Sequence, residues 1–410
     1  MSYLQETKQA GRHIFPDLAR AWALFGIALV NVGLFAWPGM KGGYAAGGLE
    51  TGVDQAAFFG VNALFLMKSY TLFSFMFGVG FAYQMMSVEN KIRAIDFSDG
   101  SEKRPSFAAR YWRRIIGLFF FAAINIVLFF QGDILFVYAV LGSFLFLFRN
   151  SSARTLITWA ITLYAIQVLL LFLFTAFIAM GHAFEPEEMA KEMDRMMKMG
   201  AEAYVVYSEG SFVDTVVARV TEWSESVVFF FLFQGVGAMS FFLFGLAAVR
   251  NDTIAEPRAK FWQTSRRIYL PIGIVISVIG AWFTLKATSM MDTDMMLGMS
   301  LIALGSPFST AGYLGIIAKW SLAADGPIKT FFARGGTASL TAYLLQNFLF
   351  TLIFYGFAMG LYARLGAASV IGIAILVAIF SIAFTSLWRM VFKRGPLEYV
   401  LRSFTYLGAR

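Results

Sequence analysis

Residues 17–37 read DLARAWALFGIALVNVGLFAW, an uninterrupted apolar run with a charged pair at its start and one asparagine inside it. At about 100° per residue on a helix, Asp17, Arg20, Ala21, Leu24, Ala28 and Asn31 fall within roughly 100° of arc, while Leu18, Trp22, Phe25 and Leu29 occupy another face. Asn31 lies about 21 Å along the axis from Asp17 at 1.5 Å per residue. One helix therefore sets polar groups at one edge of a hydrocarbon layer and again deep within it. Such groups are costly in lipid, so they face a bundle interior, where they either lock neighbouring helices or line a site.

The rest of the chain repeats this pattern. Of 410 residues, 59% are hydrophobic and 14% charged, too few charges to cover a water-soluble surface of this size. Ten apolar stretches can be read, at 18–37, 67–86, 115–130, 134–148, 155–181, 227–249, 268–286, 295–318, 338–361 and 367–388. The expected fold is all-α: a polytopic transmembrane helical bundle of about ten spans in one integral membrane domain, 1–410. Residues 56–86 would make about 46 Å of continuous helix, too long for one straight crossing, so a break is expected there.

Lys and Arg set the orientation. With ten spans, the side holding both termini carries 25 of the 33 basic residues and 10 of the 25 acidic ones. Both termini are therefore expected in the cytoplasm, and the net charge of +8 needs no nucleic acid to explain it. The expected location is a membrane, with its lipids as the surrounding partner. Residues 182–226 form the one large extracytoplasmic loop. In it Glu185-Pro186-Glu187-Glu188 starts a helix well, and the Met-rich run 189–199 reads as an amphipathic helix on the membrane surface. Residues 389–410 form a basic cytoplasmic amphipathic tail, in which Glu398 and Arg402 are spaced as an i,i+4 pair.

With no cysteine and only His13 and His182, the chain offers no thiolate nucleophile, disulfide or metal site. Gly78-Val-Gly80 and Gly235-Val-Gly237 sit in or beside apolar spans with no preceding strand, and read as helix contacts rather than nucleotide loops. The chemistry-bearing candidates are the polar residues inside the spans. Asn31, Lys68, Asn125 and Asp133 fall at the middle and outer depth of the first four helices. There they are candidate catalytic groups, with a Lys68–Asp133 pair able to orient an acceptor or to act structurally. Thr341, Tyr343, Gln346 and Asn347 fall in the cytoplasmic half of the ninth span. There they can line a polar cavity or make interhelical hydrogen bonds. Asp17 and Arg20 stand at the cytoplasmic entrance, and Arg389, Lys393 and Arg394 lie where they can meet lipid or cosubstrate phosphates.

Several of these segments together resemble the YeiB-like family, known as domain of unknown function 418. The opening Asp17…Arg20…Gly26…Asn31 matches its first signature. Lys68…Gly78, Arg113-Arg114…Gly132-Asp133…Tyr138, Tyr207…Ser211, Leu340…Gln346 and Gly395-Pro396-Leu-Glu398…Arg402 follow in order. That family is similar to a wider transmembrane acyltransferase superfamily that includes heparan-alpha-glucosaminide N-acetyltransferase. The resemblance implies acyl transfer from a cytoplasmic acyl-CoA or acetyl-CoA cosubstrate, without a metal, to an unknown extracytoplasmic acceptor, and by analogy a homodimer.

It also implies roles. Asn31 and Asn125 would position the reacting carbonyl or the acceptor, while Lys68 and Asp133 order the outer side. Asp17, Arg20, Tyr343, Gln346, Arg389, Lys393 and Arg394 would bind the cosubstrate. The acetyltransferase's histidine after the first-span asparagine has no counterpart in 32–44, and Asn125 stands where many YeiB-like members carry histidine. The proton then falls to Asp133 or to the acceptor's own amine. A transporter or exporter of a small amphiphile, and a non-catalytic acyl-CoA-binding protein, are the competing readings.

Overall fold

The computed structural model describes residues 13–38, 48–94 and 107–407, with the side chains of 90–94 excepted. Among the basic residues that set the orientation, Lys8, Arg12, Lys103, Arg104 and Arg410 lie outside the described residues, as does the end of the tail. The described residues are mostly helical, with no strand among them. The helices are α1 Phe15–Ala36, α2 Gly52–Leu64, α3 Lys68–Ala94, α4 Phe107–Leu128, α5 Ile134–Leu145, α6 Ala153–Phe184, α7 Pro186–Glu209 and α8 Phe212–Phe230. They continue with α9 Val236–Arg250, α10 Lys260–Thr264, α11 Leu270–Lys286, α12 Thr293–Ser321, α13 Pro327–Gly336, α14 Ser339–Phe354, α15 Ala367–Val391 and α16 Pro396–Thr405.

Among the described residues, eight helical segments are long and apolar enough to cross a membrane. The pair α13 and α14, bent by 85° at its break, makes a ninth, and α5 with its following turn is a shorter apolar helix. Each of the ten stretches expected from the sequence thus has a helix. The molecule is an all-α, multi-pass membrane bundle. The side on which α1 begins and α16 lies is called the basic face below.

One expected break is present, and two boundaries differ from the sequence reading. The expected break within 56–86 falls at residues 65–67, where Met67 has a left-handed φ of 63° between α2 and α3. The ninth span, expected over 338–361, ends at Phe354, and Gly360 then turns the chain with a φ of 68°. The loop expected over 182–226 is mostly helix. α6 runs to Phe184, α7 follows at once, and Ser211 and Asp214 form a capping box that starts α8. Through a π-helical turn at Phe231–Gly235, α8 continues into α9 as one segment of 39 residues. Its polar first half hid it from hydropathy, because Arg219 and Glu222 are buried against the bundle rather than solvated.

The core divides by depth. One apolar cluster joins the basic-face half of α1 to α3, α4, α5, α9 and α12, while a second joins the far half of α1 to α2 and α15. Where α11 meets α12 the backbones nearly touch. A Cβ on Gly280 would stand 2.6 Å from the Gly298 carbonyl oxygen, and a Cβ on Gly298 equally close to that of Gly280. Small residues permit such approach, and with it the dispersion contacts that hold helices together in lipid. Gly280→Val should therefore overpack this seam and cost about 1–3 kcal/mol. It would be read as a lower Tm in nanodiscs, and an unchanged Tm would show that the two helices are free to separate.

Candidate functional site

The centre of the site is Asp133. It caps α5, its Oδ2 accepting from the Phe136 backbone N–H at 2.9 Å. Its Oδ1 accepts from Asn125 Nδ2 at 2.7 Å and from the Tyr343 hydroxyl at 3.2 Å. Asn125 in turn accepts from Asn347 Nδ2 at 3.1 Å. Asp133, Asn125, Tyr343 and Asn347 are all buried, so four polar side chains from α4, the start of α5 and α14 satisfy one another inside the apolar bundle. Asn347, noted in the sequence for its depth alone, is thereby the residue that fixes the Asn125 amide.

Two cavities approach this layer from opposite faces. On the basic face, a cavity of about 430 Å³ is walled by Arg20, Phe77, Gln84, Arg114, Tyr138, Tyr343, Glu398 and Arg402. It adjoins one of about 630 Å³ that shares Gln84, Arg114, Thr337, Glu398 and Arg402 and adds Arg110, Arg389, Lys393 and Arg394. Seven cations and a single carboxylate thus line one concave surface. Aromatic rings steady several of them. The Arg114 guanidinium lies 5.7 Å from the Phe77 ring centroid, and those of Arg110 and Arg402 lie 5.0 and 4.2 Å from that of Tyr406. Arg389 Nε donates to the Thr337 hydroxyl at 2.8 Å.

On the other face a cavity of about 230 Å³ is lined by Asn31, Asn62, Tyr70, Gly132, Ile134, Gln234 and Thr284 among apolar side chains. Gly132 and Ile134 flank Asp133 in sequence, whereas Tyr343, which donates to Asp133, lines the basic cavity. The Asp133–Tyr343 hydrogen bond therefore lies between the linings of the two chambers. Next to it, Tyr138 pairs with the Ser74 hydroxyl at 2.6 Å and donates to the Tyr70 carbonyl at 3.1 Å.

Measured against the sequence, Asn125, Asp133 and Tyr343 come together, and Arg20, Arg389, Lys393 and Arg394 share one wall. Others are placed differently. Asn31 lines the far cavity and is not part of the Asp133 cluster. Lys68 makes no ion pair with Asp133 among the described residues. Its amine donates to the Asn62 carbonyl at 3.4 Å, since Lys68 opens α3 beside the end of α2 and the Asp133 oxygens are already occupied. Gln346 lines neither cavity. Its amide joins α14 to Ser381 of α15 at 2.9 Å and to the Leu24 carbonyl of α1 at 3.4 Å, an interhelical tie. Asp17 is buried behind Arg20, holding its guanidinium at 3.2 Å, and does not itself line the cavity.

The expected Glu398–Arg402 pair is likewise replaced. Glu398 caps α14, accepting from the Leu340 and Thr341 backbone N–H groups at 2.7 and 3.1 Å and from the Thr341 hydroxyl at 2.6 Å. Burial pushes its carboxyl above the usual range while these hydrogen bonds pull the other way.

The uncharacterized protein YxaH of Bacillus subtilis (strain 168) is 30% identical over 100% of this chain and 98% of its own length. The chain belongs to the YeiB-like DUF418 family. The uncharacterized protein YeiB of Escherichia coli (strain K12) is 25% identical over 97% of each chain, and the profile described as "Protein of unknown function (DUF418)" matches residues 248–408. No solved structure matches. The DUF418 match spans α10 to α16, and so includes Thr337, Tyr343, Arg389, Lys393, Arg394, Glu398 and Arg402 of the basic wall. The first five helices complete that wall with Arg20, Gln84, Arg110 and Arg114. Of these, only Arg20 was singled out as a site residue from the sequence. Arg110 and Arg114 carried a legible signal, four residues apart on one face of α4.

Proposed function

We propose that this DUF418 protein is a transmembrane acyltransferase, moving an acyl group from a cytoplasmic acyl-CoA to an acceptor that enters from the opposite face. The observation that carries the reading is that two cavities, one rich in cations and the other uncharged, approach the Asp133–Tyr343 hydrogen bond from opposite faces. A donor bearing several phosphates matches the basic cavity, where Arg and Lys side chains in a concave, partly desolvated wall concentrate anions. Its acyl end would then point toward Tyr343. The acceptor's nucleophile attacks the thioester carbonyl, the C–S bond breaks and CoA leaves as thiolate. The acceptor's proton passes to the Tyr343 hydroxyl as Tyr343 gives its own to Asp133, and the same relay returns a proton to the thiolate. Asn125 and Asn347 hold Asp133 in place for this step.

Calorimetric titration of the purified protein in nanodiscs with acetyl-CoA and a long-chain acyl-CoA tests the first step. Binding that weakens as ionic strength rises is the expected result, because the phosphate contacts are partly screened. Absence of binding to either ligand would overturn the proposal. The same paired cavities also suit a transporter that exposes its centre alternately to each side. Proteoliposomes separate the two readings. Transfer releases free thiol in proportion to acylated acceptor, whereas transport moves solute with no thiol released. Acyl-CoA binding with neither outcome would favour a non-catalytic role.

A further inference from the structure

We infer that the uncharged cavity takes a single-chain amphiphile with a carboxylate head, its carboxylate directed toward Lys68 and its chain running out beneath α7. In the acyl-transfer reading, on which its role as acceptor rests, this amphiphile also carries a hydroxyl or amine beside the carboxylate. That group attacks the thioester and gives up the proton. The occupancy itself does not depend on that reading. The cavity next to Asp133 is the inner of two that share Met290. The outer one, about 430 Å³, lies between α7 and the turn joining α11 to α12, and is lined by Met193, Met196, Met197, Met290 and Met291. Methionine side chains are unbranched and polarizable, and adapt to flexible apolar chains. No charged side chain lines either chamber, so the passage suits a hydrocarbon chain, and the outer end offers a headgroup only the hydroxyl-bearing Tyr204, Thr288 and Ser289, with no cation.

The inner end differs. Asn31, Asn62, Tyr70, Gln234 and Thr284 offer amides and hydroxyls there. Gln234 comes from the π-helical turn that interrupts the long α8–α9 segment, a distortion common at functional sites. Lys68 lies directly behind this wall: Met67, Ser69 and Asn62 all line the cavity, and Asn62 supplies the carbonyl its amine reaches at 3.4 Å. The residue is 1% exposed, and no carboxylate of the described residues stands within ion-pair distance of it. Charging a buried amine that has no counter-ion is costly, and an incoming anion offsets that cost. One cation matches the single charge of a carboxylate. A phosphate would call for the kind of multiple guanidinium wall found on the basic face.

The test uses a fatty acid carrying a diazirine near its chain end, photolysed with the full-length protein in nanodiscs without acyl-CoA. Adducts are expected in 193–201 and 288–299, suppressed by unlabelled fatty acid but not by the matching primary amide or alkylamine. Lys68→Met should reduce carboxylate-probe adducts at least about 30-fold. Adducts of an amide-headed diazirine probe should persist in that variant, which also shows that it is folded. Equal labelling by carboxylate, amide and amine probes would overturn the inference, as would adducts scattered over the lipid-facing sides of α6 and α11. Lost labelling with acyl-CoA binding intact would remove this inference and spare the acyltransferase. Specific labelling without acyl-CoA binding would do the reverse.

Discussion

Asp133→Asn is expected to cut acyl transfer by about 10²–10⁴-fold while acyl-CoA affinity stays within about twofold of the parent. The asparagine oxygen can still accept from Asn125 and Tyr343, as Oδ1 of Asp133 does. Its NH₂ then meets the Phe136 N–H, donor against donor, where Asp133 Oδ2 had capped α5. Losing that cap costs about 1 kcal/mol, too little to dissolve a bundle of this size. What vanishes altogether is the basic oxygen that receives the proton. Asp133→Ala is a harsher change. It leaves the Asn125 amide, the Tyr343 hydroxyl and the Phe136 N–H without their acceptor inside the bundle, at about 1–3 kcal/mol each. The larger fall in Tm is expected from that variant. Single-turnover thiol release beside calorimetry decides the matter, and full transfer by Asp133→Asn would dismiss Asp133 as the proton acceptor.

The second large effect is expected at Arg114, which stands in both chambers of the basic face. Arg114→Glu removes an attraction and adds a repulsion in a concave wall, so acyl-CoA binding should weaken by about 100-fold or more. The remaining affinity should respond less to ionic strength than that of the parent. Arg267→Glu serves as the control. Arg267 is exposed and lines neither chamber of the basic cavity, and its reversal should leave affinity within about threefold, the margin left by screening. Equal losses from both variants would mean that the face acts through its overall field rather than through a binding site.

Not every site residue was equally legible. Tyr343 and Asp133 are 210 residues apart, and their pairing depends on how α5 and α14 pack. Their depth in the bundle could be read from span boundaries, but their bond could not. Gln346 shows the opposite error: its depth agreed with a cavity-lining role, yet the helix turns it toward α1 and α15, where two acceptors hold it. Glu398 sat four residues before Arg402, a spacing that favours a local pair. The first turn of α14, 57 residues earlier in the chain, offers two unpaired backbone N–H groups and a hydroxyl, which a carboxylate prefers to an exposed guanidinium. Arg219 and Glu222 fell within the loop expected over 182–226, whereas the bundle encloses both.

The sequence by itself determined the helical bundle, its approximate spans and the basic bias of one side. Those properties follow from local hydropathy and from counting charges between spans, and neither depends on which helices become neighbours. Tertiary structure alone decided that Arg20, Arg114 and Arg402 share a wall, that Asp133 turns to Tyr343 and Asn125 rather than to Lys68, and that a methionine passage leads inward from the far face. In a membrane interior every buried polar group must find its partner within the protein. The choice among partners therefore belongs to helix packing, which brings together residues that hydropathy and spacing leave far apart.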